Sequence, residues 1–339
     1  MATPLSNFVT SVTKQNFLPV VVDNFYAGNV LFMRLKGKRK SWSSGTQLRI
    51  PTQIAGRTQL GSYSGADVFG TAQEDVRQQF SINPSQYYAN STITGIQAAA
   101  NKGKEAIVDL VTEELRSVSK ALNDLMGTDL YGDGTGNGGK ALTGLVAQVD
   151  DGTNVSTFQG LSRTTYPTLQ STLSVQSGAL GLDDLAASYD AAQVGSDQPT
   201  LGVTTPAVFS IIEALYTATS RYQLVQQVGR VRATAAGLMP ESAGVSGNVG
   251  FTGLMFRGMP IILDDKCTSG NLYMLNENYL DLYEMMPDAA FVSGAKDGFG
   301  WTGWKKPTNQ DAVVSQFLWY GQLVGTEPRK SSRRTTITS

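Results

Sequence analysis

Three adjacent carboxylate pairs are the residues best equipped for chemistry: Glu113-Glu114, Asp150-Asp151 and Asp264-Asp265. Neighbouring residues project in different directions from a helix or strand, so no pair alone makes an acid/base couple across a scissile bond. Asp133 and Asp264-Asp265 carry oxygens suited to a hard cation. The spacing of a calcium-binding loop is absent, however, and turns rich in Asp and Asn account for them. The chain contains no histidine. That excludes Ser-His-Asp and Cys-His catalysis, His-ligated zinc and the usual general base near neutral pH. Gly244-Val-Ser246-Gly-Asn248 lacks the last glycine of a nucleophile elbow. The lone Cys267 cannot close an intrachain disulfide, and it is expected as a small buried side chain near the end of a strand. The expectation is no enzyme, no metal and no cofactor.

One glycine-rich segment, Tyr131 to Ala141, comes near two phosphate-binding patterns. Gly134, Gly136 and Gly139 satisfy GxGxxG, and with Lys140 they match most of a P-loop. Both mechanisms need a strand before the glycines and a helix after them, so that helix-terminal N–H groups meet phosphate. Here a long helical pattern comes first, Ala141 stands where a hydroxyl should bind Mg²⁺, and no acid follows at the spacing that holds a ribose. The segment reads as a turn.

The elements around these residues belong to a chain of 339 residues, long enough for about two domains. Charged residues make up 16%, below the usual ~25%. The net charge of −1 gives no global basic field, yet charge is segregated. Residues 1–40 carry six cations against Asp23, residues 148–200 carry six aspartates against Arg163, and the last twelve add Arg329, Lys330, Arg333 and Arg334. Apolar runs such as Val20-Val21-Val22 are far shorter than the ~18 residues a membrane span needs, and no signal-peptide pattern opens the chain.

Residues 1–40 lack a sustained helical period and read as an extended arm. Residues 41–92 hold glycines and prolines between two alternating stretches, 46–50 and 77–82, and read as a long two-stranded excursion with a glycine-rich tip. A lone hairpin is marginal in water, so a second copy of the chain is expected to support it. From Lys102 to Met126 the apolar and charged residues fall on opposite arcs of one helix, which Gly127 is placed to end. Helices follow over 182–193, with Asp183 as cap, and over 206–221, with Thr204 or Thr205 as cap. Strands are expected near 249–256, 258–265 and 272–275, and over 312–324.

In this order the features resemble the major capsid protein family of tailed bacteriophages, whose fold is named for the Hong Kong 97 phage. The most specific pieces are the helix leading into Leu130-Tyr-Gly-Asp-Gly-Thr-Gly and the late strand ending in Leu323-Val-Gly-Thr-Glu-Pro328. The resemblance covers nearly the whole chain and implies an α+β Hong Kong 97-like fold. Its parts would be an N-arm over 1–37, an E-loop β-hairpin over 38–95 and a peripheral domain over 96–164 with the spine helix and glycine-rich loop. A mixed α/β axial domain over 165–265 and a return to the peripheral domain with a C-terminal tail over 266–339 complete it.

The function so implied is architectural. Copies form hexamers and pentamers that close into an icosahedral shell around double-stranded DNA, in the virion capsid, after assembly in the host cytoplasm. Partners would be the chain itself, packaged DNA, scaffolding and portal proteins and a cement protein. No membrane is involved. Some relatives begin with a cleaved helical scaffolding segment; nothing like it precedes the arm, so either the scaffold is a separate protein, as expected from Met1, or the chain is already trimmed. No lysine lies between Lys40 and Lys102, so a noncovalent shell is expected. Lys36, Lys38, Arg39, Lys40, Arg329, Lys330, Arg333 and Arg334 are the candidates for nonspecific contact with DNA or electrostatic contact with a neighbouring copy. Alternatives are an encapsulin-like bacterial compartment, a nucleotide-dependent enzyme using Gly134–Lys140, and a phage tail or adhesion protein.

Overall fold

The computed structural model describes residues 29–100, 110–218 and 254–338 apart from 289, 293 and 297. Strands and helices form two six-stranded sheets with helices against them. The first sheet is built on the longest run of β-prone residues, β15 (Ala312–Gly325). On one side β15 pairs antiparallel with β12 (Leu280–Met285) and β14 (Phe299–Trp301). On the other it pairs over ten residues with β4 (Ser85–Thr94). The three-residue β1 (Lys40–Trp42) lies parallel to β12, and β13 (Gly294–Lys296) closes the far end beside β14.

Two helices cover one face of this sheet. The first, α1 (Val30–Gly37), was not visible as a helix in the sequence. It exists because Leu31, Phe32 and Leu35 share a face that is fully buried, and because the Asn29 side chain accepts from the Phe32 N–H at 2.9 Å. The expected extended arm is therefore corrected over 30–37, while residues 1–28 lie outside the described ones. The second, α2, spans Leu110–Asp129. The start expected at Lys102 falls outside the described residues. The end expected at Gly127 is passed by two residues. A Cβ on Gly127 would lie 1.9 Å from the Asn29 amide, so this glycine lets the root of α1 approach. The chain turns back only after Asp129. Gly144 packs against the carbonyls of Leu130, Asp129 and Gly132, and the N–H groups of Leu145 and Val146 satisfy Leu130 and Gly132.

The second sheet runs β7 (Thr172–Val175), β16 (Ser332–Thr335), β11 (Leu272–Leu275), β8 (Leu201–Thr204), β10 (Met259–Leu263), β9 (Leu254–Phe256). Residues 249–253 of the expected strand lie outside the described ones. Every residue of β8 and β11 is buried, because both faces are covered. Val203, Tyr273 and Leu275 join the core shared with the first sheet. Leu272, Met274, Met259 and Ile261 face α3 (Leu182–Ala191) and α4 (Pro206–Ala218). The expected Asp183 cap is replaced by Gly181, whose N–H donates to Asp184 at 2.9 Å. Of the two threonines before α4, Thr204 donates its hydroxyl to the Asn271 carbonyl, and the buried Thr205 hydroxyl has no partner.

The excursion pairs β2 (Leu48–Gln53) with β3 (Arg77–Ile82). Its shaft rests on its own chain, which corrects the expectation that a second copy must support the whole of it. Phe80 and Ile82 pack with Phe158 of the short hairpin β5 (Thr157–Phe158) and β6 (Leu161–Ser162), with Leu169 in the turn after it and with Val324 of β15. Arg163 braces that platform. It is fully buried and donates to the carbonyls of Ala147 (2.7 Å), Val155 (2.8 Å) and Leu169 (3.1 Å).

Candidate interaction surfaces

The acidic pairs do not converge. Asp264 is a structural hub: its buried carboxylate accepts from the Leu31 N–H (3.1 Å), the Tyr131 hydroxyl (2.8 Å) and the Lys266 N–H (3.0 Å), tying α1 and the end of α2 to the second sheet. Burial first, then the charge of Asp264, pushes the Tyr131 hydroxyl well above its ordinary pKa. The same two causes push up the Cys267 thiol, which is buried and unreactive as a thiolate. Asp150 accepts the N–H groups of Gly152 and Val155 and the Asn154 side chain, and so organises a turn. Among the described residues no cluster of three or more metal-ligating side chains occurs, and no helix is long and apolar enough to cross a membrane. The glycine-rich segment follows a helix and turns through positive φ at Gly134, Asn137, Gly138 and Gly139, while Asp133 accepts from the Thr135 N–H and hydroxyl. It presents no helix start to a phosphate.

The basic residues are placed in two clusters, each against acids of its own chain. At the edge of the first sheet, Arg34 binds Glu277 through two N–H groups, the second at 2.8 Å, and Lys38 stands 3.8 Å from the same carboxylate. Arg39 lies 3.3 Å from Glu284, Lys40 lies 2.6 Å from Asp281, and Lys36 stacks 4.2 Å over the Phe299 ring. The hydrogen bond to Asp281 outweighs desolvation and raises the pKa of Lys40. Glu277, Asp281 and Glu284 are buried and were not singled out in the sequence. Asp281 and Glu284 lie on β12 and Glu277 in the turn just before it, and nothing local in the sequence pairs them with 34–40.

The C-terminal cluster is inside the second sheet. Lys330 is buried, 2.6 Å from Asp197 and 2.7 Å from Glu327, with its ammonium 3.8 Å from the Tyr279 ring centre. Burial pulls the ammonium down, but hydrogen bonds to Asp197, Glu327 and Tyr279 overcome it and leave its pKa above the ordinary value. Arg334 donates to Ser188 Oγ (2.9 Å), Gln176 Oε1 (2.5 Å) and the Asp184 carbonyl (2.7 Å). Arg333 is buried over Tyr273. Arg329 alone of the four is exposed. The basic tail thus neutralises part of the acidic 148–200 region of the same chain.

Two surfaces remain open. The tip between Ile54 and Val76 exposes Leu60, Tyr63, Val68 and Phe69, with Val68 97% accessible, and among the described residues Tyr63 packs edge-on against Phe69. A large exposed apolar patch of this kind marks an interaction site. A cleft of about 1360 Å³ lies between the β3–β4 turn, the glycine-rich segment and β15. Asp133 and Lys140 are the charged residues on its wall.

Comparison with solved structures matches the chain from end to end. The cyanophage A-1(L) capsid asymmetric unit superposes with a TM-score of 0.67 at 15% identity, covering 99% of this chain and all of the other. The capsid of the empty GTA particle, computed with C5 symmetry, gives 0.62 at 10% identity, with 98% of each chain covered. The holo-SrpI encapsulin complex from Synechococcus elongatus PCC 7942 gives 0.58 at 11% identity, covering 99% and 96%. No family model matches the sequence, and the search of curated proteins found no match. The chain has the fold of the tailed-phage major capsid proteins.

Proposed function

We propose that the chain is the major capsid protein of a tailed bacteriophage, a structural and non-enzymatic subunit that assembles with itself into hexamers and pentamers of an icosahedral head around double-stranded DNA. The observation that carries this reading is the exposed apolar tip on a self-supported shaft. A lone subunit gains nothing from holding Leu60, Tyr63, Val68 and Phe69 in water, whereas a neighbour would bury them. The full-length likeness to capsid subunits supports it. The division read from the sequence goes with it: arm 1–37, E-loop 38–95, peripheral domain 96–164 with return 266–339, and axial domain 165–265. The axial sheet then also takes β11 and β16.

Separate scaffolding, portal and cement proteins, assembly in the host cytoplasm and a noncovalent shell belong to the same proposal. For DNA or a neighbouring copy, exposed Arg329 is the best placed of the eight basic residues, since the others are engaged within the chain. The encapsulin likeness carries the same fold with an enzyme cargo as the alternative. Negative-stain microscopy and nucleic-acid assay of purified particles test both. Closed shells holding double-stranded DNA support the phage reading, shells holding one enzyme support the compartment, and tubes or trimers overturn both.

A further inference from the structure

We infer that two copies of this chain pair antiparallel, edge to edge, through β4. In the first sheet β15 is paired on both sides, and β4 is paired with β15 alone. Among the described residues, no backbone hydrogen bond outside that ladder reaches residues 86–93. Among the described residues this leaves a free edge over 86–93, eight residues or roughly 26 Å, since the Thr94 N–H already donates to Gln97 Oε1 at 3.1 Å. Its sequence, Ser85-Gln-Tyr-Tyr-Ala-Asn-Ser-Thr-Ile-Thr94, contains no charge, no proline and no glycine.

Native proteins protect such edges with lysine, proline, bulges or brevity, because unpaired N–H and C=O groups template another strand. The other edges here are protected in those ways. The edge strand β1 has three residues and carries Lys40, β13 and β9 have three each, and β7 has four. The hairpin strand β2 holds Arg49 and Pro51. Among the described edge strands only β4 is long and bare.

The occupant follows by elimination. An added strand must be about as long, bring no charge to a neutral edge, and have a free edge itself. β15 is long enough but paired on both sides, and the hairpin strands have six residues each with arginine in both. The described strand that fits β4 is β4 of a second copy, which makes the contact isologous about a twofold axis. The side chains flanking the seam, Gln86, Tyr88, Asn90, Thr92 and Thr94, are exposed and uncharged, so each copy meets its like without repulsion. This pairwise contact does not depend on whether pairs go on to close a shell.

Residue-resolved hydrogen exchange of the full chain, at concentrations below and above association by ultracentrifugation, tests it. The expected result is that the outward amides of β4 slow at least about tenfold on association, one new hydrogen bond each. The double variant Tyr88→Lys, Thr92→Lys, both on the exposed face, should keep the parent's monomer spectrum and lose both the slowing and the twofold association. Amides that stay fast in the associated state, a lysine variant that associates as the parent does, or a chain that never associates would each overturn the inference. Closed shells with fast β4 amides would end this contact and leave the shell reading standing. Slow amides in a species that stops at a dimer would do the reverse.

Discussion

The two halves of the hairpin excursion were built for different solvents. The shaft, β2 and β3, alternates so that Ile50, Phe80 and Ile82 meet Phe158 and Val324, while Arg49 and Arg77 face water. The tip has the opposite bias: Leu60, Tyr63, Val68 and Phe69 are apolar and largely exposed, with only Tyr63 and Phe69 touching each other among the described residues. Buried apolar surface yields its free energy in the monomer, and exposed apolar surface yields it only on association. Substitutions in the shaft should therefore act on folding, and substitutions in the tip on assembly.

The largest effect on folding is expected under the shaft. Arg163→Leu would strip several buried carbonyls of their donor at once, and should lower the unfolding free energy by about 3–5 kcal/mol in urea titration. Phe80→Ala, which opens the shaft's own core against Phe158 at 5.4 Å between rings, should cost about 3–4 kcal/mol by the same measurement. If either variant unfolds like the parent, the shaft is not held by its own chain.

The two basic clusters sharpen the same contrast at intermediate size. Arg334→Ala leaves the Gln176 Oε1 and Ser188 Oγ acceptors without their buried donor and should cost about 2 kcal/mol. Lys40→Ala breaks a half-exposed pair and should cost less than about 1 kcal/mol, an effect that fades in high salt. Acid acts on the buried cluster through its acids. Lys330 and Tyr279 hold the Asp197 carboxyl below its ordinary pKa, and the Gly181 N–H and Gln176 do so for Asp184. A lowered folded pKa adds stability that is present above the unfolded value, near pH ~4, and is lost as pH falls through the folded one. With no histidine in the chain, thermal melting should be flat from about pH 5.5 to 7.5 and fall below about pH 4. A step near pH 6 would contradict this.

The smallest effect on folding belongs to the tip. Replacing Leu60, Tyr63, Val68 and Phe69 together by serine should shift the stability of the unassembled chain by no more than about 0.5 kcal/mol. The same change should abolish particles in microscopy.

Much of this was legible in the sequence, for identifiable reasons. β3, β11 and β15 follow β-prone runs whose limits the chain itself marks, and α2 follows an apolar arc sustained over several turns. What failed were features decided by distant partners. α1 has only eight residues, too few for periodicity to stand out, and it forms because Asn29 caps it and Leu31, Phe32 and Leu35 find a core. Gly127 reads as a helix end but serves a close approach. The basic runs looked like free charge, since nothing local announces that Glu277, Asp281 and Glu284 stand 240 or so residues away in sequence and a few ångströms away in space. The open surfaces were half legible: the glycine-rich tip was visible, but that the shaft supports itself and that the outer edge of β4 has no strand partner among the described residues emerged only from the fold.

The central claim is that this subunit is complete only among its copies. Sedimentation velocity of the purified full chain, concentrated and supplied with its assembly partners, tests it most directly. The account predicts a sharp boundary of large, uniform particles that disappears in the tip variant. A single slow boundary of compact monomer, the same for parent and variant, would contradict it.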